Sequence, residues 1–233
     1  MVVVKRLSFI ALAILNLAAT AQSYDEHDSG SWLEFYGDNK IHERWSIPLS
    51  GILHHHDLFE MHDFSFLRTG ISYRLNPRLT VTGGIAFVNS KDYDESFRSS
   101  SIQQYWLYEE FSIKNKFRRN TLSHRWRLEN RWINEPNKTY FRNRIRYRLQ
   151  FSRPLYGKTF VKTFNEVFFN LNGPSFFNQN RFYLGIGQIL TPTFKVDVGY
   201  LKTHFTKRKY GTFRMGLAYT IDFTRKEVAS IDN

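Results

Sequence analysis

Two runs of alternating arginines hold most of the chemistry legible in this chain. Arg125, Arg127 and Arg131 fall at odd positions with Glu129 among them, and Arg142, Arg144, Arg146 and Arg148 fall at even positions shortly after. A guanidinium is always charged and carries five donors in a fixed fork, so such a row must meet anions, carboxylates or water. Glu166 and Arg181 join the set if the same alternation holds in their own segments. Two uses follow: a basic surface that selects anions, or a network of ion pairs filling a narrow interior. The second cluster is the stretch from His54 to Asp63, with His54, His56 and His62 as metal candidates beside carboxylates. Imidazole and carboxylate suit a first-row divalent ion. Adjacent histidines on a strand point to opposite faces, however, and the spacing fits no closed metal site. A solvated loop with adventitious metal affinity is the expectation, and no cofactor is expected. Ser123-His124 face opposite ways on an extended chain, and His204 has no evident serine partner, so no catalytic set is assigned.

The alternation fixes the element that positions these groups. Opposite Arg125, Arg127, Glu129 and Arg131 stand Trp126, Leu128 and Trp132. Opposite Arg142, Arg144, Arg146 and Arg148 stand Phe141, Ile145, Tyr147 and Leu149. A period of two is the signature of a β-strand, and residues 133–138 supply the turn between the two strands. In a soluble sandwich the rings would point inward and the arginines into water. A transmembrane β-barrel reverses this, with apolar side chains toward lipid and polar ones toward the lumen.

The rest of the chain repeats the pattern. Strands are predicted over 31–36, 41–53, 64–75, 79–89, 102–113, 122–133, 140–151, 159–170, 181–190, 194–205 and 212–223. The connections at 76–78, 152–157 and 191–193 are compact, whereas those near 54–63, 90–101, 172–180 and 207–211 are longer or more polar. Short turns at one end and longer loops at the other are the outer-membrane pattern. Eleven segments are legible, but bacterial single-chain barrels use even numbers, so the expectation is an all-β, antiparallel transmembrane barrel of about 10–12 strands.

Residues 1–21 read as a Sec-type signal peptide. Lys5-Arg6 precede an apolar run from Leu7 to Ala19, and Ala19-Thr20-Ala21 fits a small-x-small cleavage site, leaving Gln22 first. Loss of Lys5 and Arg6 lowers the formal charge from +12 to +10. Export disfavours nucleic acid as a partner despite the basic balance. There is no cysteine, so neither disulfides nor thiolate chemistry enter. Aromatic residues make up 17% of a chain whose mean hydropathy is −0.46, a combination that girdles around a polar lumen would give. The expected domains are a signal at 1–21, a barrel at 22–223 and a short tail at 224–233. The expected location is a Gram-negative outer membrane.

The last strand alternates without a break. Phe213, Met215, Leu217, Tyr219, Ile221 and Phe223 share one face. Arg214-x-Gly216-x-x-Tyr219-x-Ile221, followed by Phe223, resembles the C-terminal signal read by the barrel assembly machinery, although residues 224–233 run past it. Outer-membrane lipid and that machinery are therefore the expected partners; the oligomeric state is left open. The runs Arg68-Thr69-Gly70-Ile71-Ser72-Tyr73-Arg74-Leu75, Arg125-x-Arg127-Leu128-Glu129-x-Arg131, Arg142-x-Arg144-x-Arg146-Tyr147-Arg148-Leu149 and Asn180-Arg181-x-x-x-Gly185 resemble a bacterial family, Domain of Unknown Function twenty-four-ninety. The resemblance spans about 32–223 and implies an exported barrel, without naming an activity. The functional expectation is a structural barrel or a narrow, anion-favouring pore. The alternatives are a lipid-modifying hydrolase of the outer membrane and a soluble periplasmic β-sandwich.

Overall fold

Eleven strands close into one barrel in the computed structural model, which describes residues 29–93 and 99–224. In chain order they are β1 (Ser29–Lys40), β2 (Trp45–His56), β3 (Met61–Arg74), β4 (Leu79–Tyr93), β5 (Ser99–Phe117) and β6 (Asn120–Glu135). Then follow β7 (Lys138–Pro154), β8 (Thr159–Asn170), β9 (Phe177–Thr191), β10 (Phe194–His204) and β11 (Lys209–Asp222). Each strand pairs antiparallel with the next. The ring closes where β1 lies parallel to β11, Leu33 opposite Met215 and Tyr36 opposite Ala218. The proposed signal peptide and residues 225–233 lie outside the described residues.

The first segment is a full strand, longer than the 31–36 expected, and the count is odd. Parallel closure permits this, because an odd number of alternating strands leaves first and last running the same way. One mouth carries the tight connections at 41–44, 75–78, 118–119, 155–158 and 192–193. At 75–78 the Asn76 side-chain oxygen accepts from the amides of Arg78 and Leu79 at 2.9 and 3.0 Å, and a short polar side chain thereby replaces the next turn's backbone partner. The other mouth carries the connections at 57–60, 136–137, 171–176 and 205–208.

Alternation sorts the side chains between two environments. Leu53, Leu67, Ile71, Ile85, Leu107, Leu149, Leu184, Ile186, Tyr200 and Leu217 are exposed on the outer wall. Arg68, Arg127, Glu129, Arg131, Arg144, Glu166, Asp197 and Arg214 are buried inside. The rings within form two clusters, Trp32 with Phe164, Tyr183 and Leu201, and Trp106 with Ala86 and Val88. A sandwich would bury its apolar faces between two sheets; this single closed sheet turns its apolar face outward, which rules out the sandwich alternative. Gly70 and Gly84 face each other across β3 and β4. A Cβ on either would stand 2.9 or 2.8 Å from the Tyr108 hydroxyl, so the glycines make the floor on which that ring lies.

The stretch 54–63 departs from expectation. It is the end of β2, a short turn and the start of β3 rather than a solvated loop, and His54 is fully buried. The β2–β3 register shifts so that His55 pairs with His62 and His54 with Phe64, leaving Asp63 as the extra residue. Such a bulge re-aims the residues beside it.

A charged lumen with a basic vestibule

The inward faces of β5 to β9 bring arginines and acids from distant parts of the chain into one layer. Glu129 accepts from Arg144 Nε at 2.7 Å and lies 3.1 Å from Arg146 Nε. Glu166 accepts from Arg125 Nη2 at 2.8 Å and from Arg148 Nη2 at 2.7 Å. Both carboxylates are fully buried. Sharing each acid between two or more guanidiniums satisfies more of its lone pairs, which matters because an unpaired buried charge is costly. The interior thus places Arg125, Arg127, Glu129, Arg131, Arg144, Arg146, Arg148, Glu166 and Arg181 around one space. Arg142 stands apart at the rim, its guanidinium 4.7 Å from the Tyr140 ring.

Three further acids take part that the alternation of the two arginine runs did not mark. Glu110 binds Arg127 through Nε at 2.7 Å and Arg68 at 3.2 Å. Asp197 binds Lys162 at 2.8 Å and Arg214 at 2.5 Å, and accepts from the Tyr183 hydroxyl at 2.6 Å. Glu34 accepts from Arg214 at 2.9 Å across the parallel seam. Each stands on an inward-facing position of a strand whose charges, such as Glu109 beside Glu110 or Lys195 and Lys202 around Asp197, set no period of two. Arg214, expected within an insertion signal, is therefore also a lumen residue, while Tyr219 packs outside against Gly37.

Rings separate the guanidiniums. Arg144 and Arg131 lie 5.2 and 5.9 Å from the Trp106 ring. Arg144, Arg146 and Arg181 lie 5.1, 5.2 and 5.0 Å from that of Phe168. Aromatic faces attract cations where water is scarce, so the rings hold like charges that would otherwise repel. From this layer toward the mouth with the longer loops runs a cavity of about 290 Å³, lined by the layer's own arginines, Arg131, Arg144 and Arg181 among them, and by Trp32, Trp106 and Tyr210.

The histidines divide between the two sides of the wall. His54 Nδ1 lies 2.6 Å from Asp63 inside, and His56 Nε2 lies 3.8 Å from the same carboxylate. His62 is turned outward by the bulge, with Nε2 2.7 Å from the Ser65 hydroxyl. Among the described residues no three His, Asp or Glu side chains converge as a metal site requires. Ser123 and His124 do point apart: His124 meets the Tyr147 hydroxyl at 2.7 Å on the outer face.

The family model for a protein of unknown function, DUF2490, matches residues 29–214, and with them nearly the whole barrel. The chain belongs to the DUF2490 family. No curated protein sequence matches it. Among solved structures it is similar to one titled "NanC porin structure in rhombohedral crystal form", with a TM-score of 0.50 and 10% identity, covering 82% of this chain and 97% of that one. At that identity the likeness speaks for a porin-like barrel fold, and the DUF2490 chain realises it with eleven described strands.

Proposed function

We propose that this DUF2490 protein is an outer-membrane barrel with a narrow, anion-favouring lumen, occluded at its waist by the arginine–carboxylate layer. The observation carrying this reading is the imbalance inside. Among the described lumen residues, five acids, Glu34, Glu110, Glu129, Glu166 and Asp197, meet eight paired bases, Arg68, Arg125, Arg127, Arg144, Arg146, Arg148, Lys162 and Arg214, while a sixth acid, Asp63, is engaged by His54. Arg131 and Arg181 add further positive charge. The exposed leucines, isoleucines and rings of the outer wall support a lipid setting, since a soluble protein rarely exposes so continuous an apolar surface. Export through residues 1–21, with Gln22 as the mature start, and insertion guided by Arg214, Gly216, Tyr219, Ile221 and Phe223 complete the proposal. The test is conductance in planar bilayers under a salt gradient. Small currents with a reversal potential on the anion side are expected, and large or cation-selective currents would count against it.

A second reading, lipid ester hydrolysis, draws on the His62–Ser65 hydrogen bond on the outer wall. Ser65 also borders an apolar outer groove of about 510 Å³ lined by Leu33, Phe35, Leu53, Leu67 and Leu217. A serine hydrogen-bonded to an imidazole is the minimal nucleophile–base pair. Among the described residues no carboxylate orients His62, which is why the pore stands first. Labelling of Ser65 by a fluorophosphonate, lost in His62→Gln, would reverse that order.

A further inference from the structure

Within the lumen, Arg131 and Arg181 are unlike the other arginines. Among the described residues neither has a carboxylate within ion-pair distance, and each has a buried Nε without a hydrogen-bond partner. Arg131 is 7% exposed, lies against the Trp106 ring, and among the described residues makes one side-chain hydrogen bond, a long one of 3.4 Å to the Asn170 side-chain oxygen. Arg181 is held between two rings, 4.9 Å from Trp32 and 5.0 Å from Phe168. A buried cation that touches no anion is expensive, and an apolar side chain of similar volume serves stability at least as well. Both arginines line the same cavity of about 290 Å³. The acids that border it are engaged elsewhere, Asp63 with His54 and Glu34 with Arg214.

We infer that this vestibule is a binding site for a small organic acid. Its carboxylate would be taken by Arg131 and Arg181 and its apolar or ring-shaped body by the faces of Trp32 and Trp106. Forked guanidiniums match a planar carboxylate bidentately, and a pocket mixing ring faces with a few charged groups is the usual form of a small-molecule site. This inference rests on the anion-favouring reading of the lumen and gives it a substrate class. It also explains why these two arginines stand without a direct ion pair beside the paired arginines of the layer: the solute supplies the contacting anion.

Titration calorimetry of the full-length protein, folded in detergent, tests it with three probes: sodium benzoate, benzyl alcohol as its neutral counterpart, and sodium phosphate. Benzoate should bind saturably, benzyl alcohol should not, and Arg131→Gln or Arg181→Gln should weaken benzoate at least tenfold. Raising the salt should weaken it as well. Without ligand, Arg181→Met should melt no lower than the wild type, and benzoate should raise the melting temperature of the wild type alone. Saturable binding of phosphate without benzoate would overturn the organic-acid assignment. No saturable binding, or unchanged affinity in Arg131→Gln and Arg181→Gln, would overturn the site. Binding without conductance would keep the site and remove the pore, while selective conductance without binding would do the reverse.

Discussion

Glu129 and Glu166 have no solvent to fall back on, which sets them apart from the acids at the rim. Each is fully buried and anchors guanidiniums from neighbouring strands. Glu129→Gln should therefore cost about 3–5 kcal/mol of stability, the usual result of breaking one partner of a buried pair. Glu135→Gln, at a hairpin tip where Glu135 pairs with the exposed Lys138, should cost no more than about 1 kcal/mol. Urea unfolding in lipid vesicles measures both, and equal effects would mean that water fills the waist. At this scale the sequence was half legible. The arginine rows announced their face because four or more charges repeat at a period of two. Their partners did not, because one acid in a strand sets no period. Arg214 and Glu34 are 180 residues apart and meet only when the ring closes.

Strand by strand, the inside and the outside are set by parity, and parity can be tested one residue at a time. Leu107 and Tyr108 are neighbours on β5, yet Leu107 is 46% exposed on the outer wall while Tyr108 is 1% exposed within. Leu107→Arg should destabilise the folded barrel in vesicles by about 2–4 kcal/mol, the cost of a cation near the bilayer midplane. Leu107→Ile should be nearly neutral. The bulge at Asp63 shows where parity stops being readable, since one inserted residue sends His62 outward while His54 stays inside. No pattern in the stretch 54–63 announced it. At the tight-turn mouth the parallel seam ends in a pair between Lys40 and Asp222 at 3.2 Å. The Thr224 hydroxyl, more than Lys40, holds the Asp222 carboxyl down to about 2. A depressed acid contributes stability above its unfolded value near 4, and loses it as pH falls through about 2. Hydrogen exchange at Phe223, whose amide donates to the Lys40 carbonyl at 2.9 Å, should therefore speed up over that acidic window. The Asp222→Asn variant should show no such step.

For the molecule as a whole, a barrel should resist detergent unboiled and migrate differently from the heated chain on a gel, and a single band under both conditions would refute it. The eleven-strand count was visible as eleven segments, and what a sequence cannot show is which edges join. The parallel seam between β1 and β11 decides that, and it also constrains how such a gene can be rearranged. With an even count, the two ends of the chain emerge at the same mouth, and a few residues can join them to make a circular permutant. Here Ser29 and Asp222 stand at opposite mouths. A strand of twelve residues is roughly 40 Å long at about 3.3 Å per residue, and a joining peptide would have to retrace most of it. Through the lumen it would meet the arginine layer; along the outer wall, in the proposed membrane setting, its amides would face lipid unpaired. The ring also cannot be assembled by duplicating hairpins, because five hairpins leave one strand over. Its order of strands is thus locked to the order in which they are made.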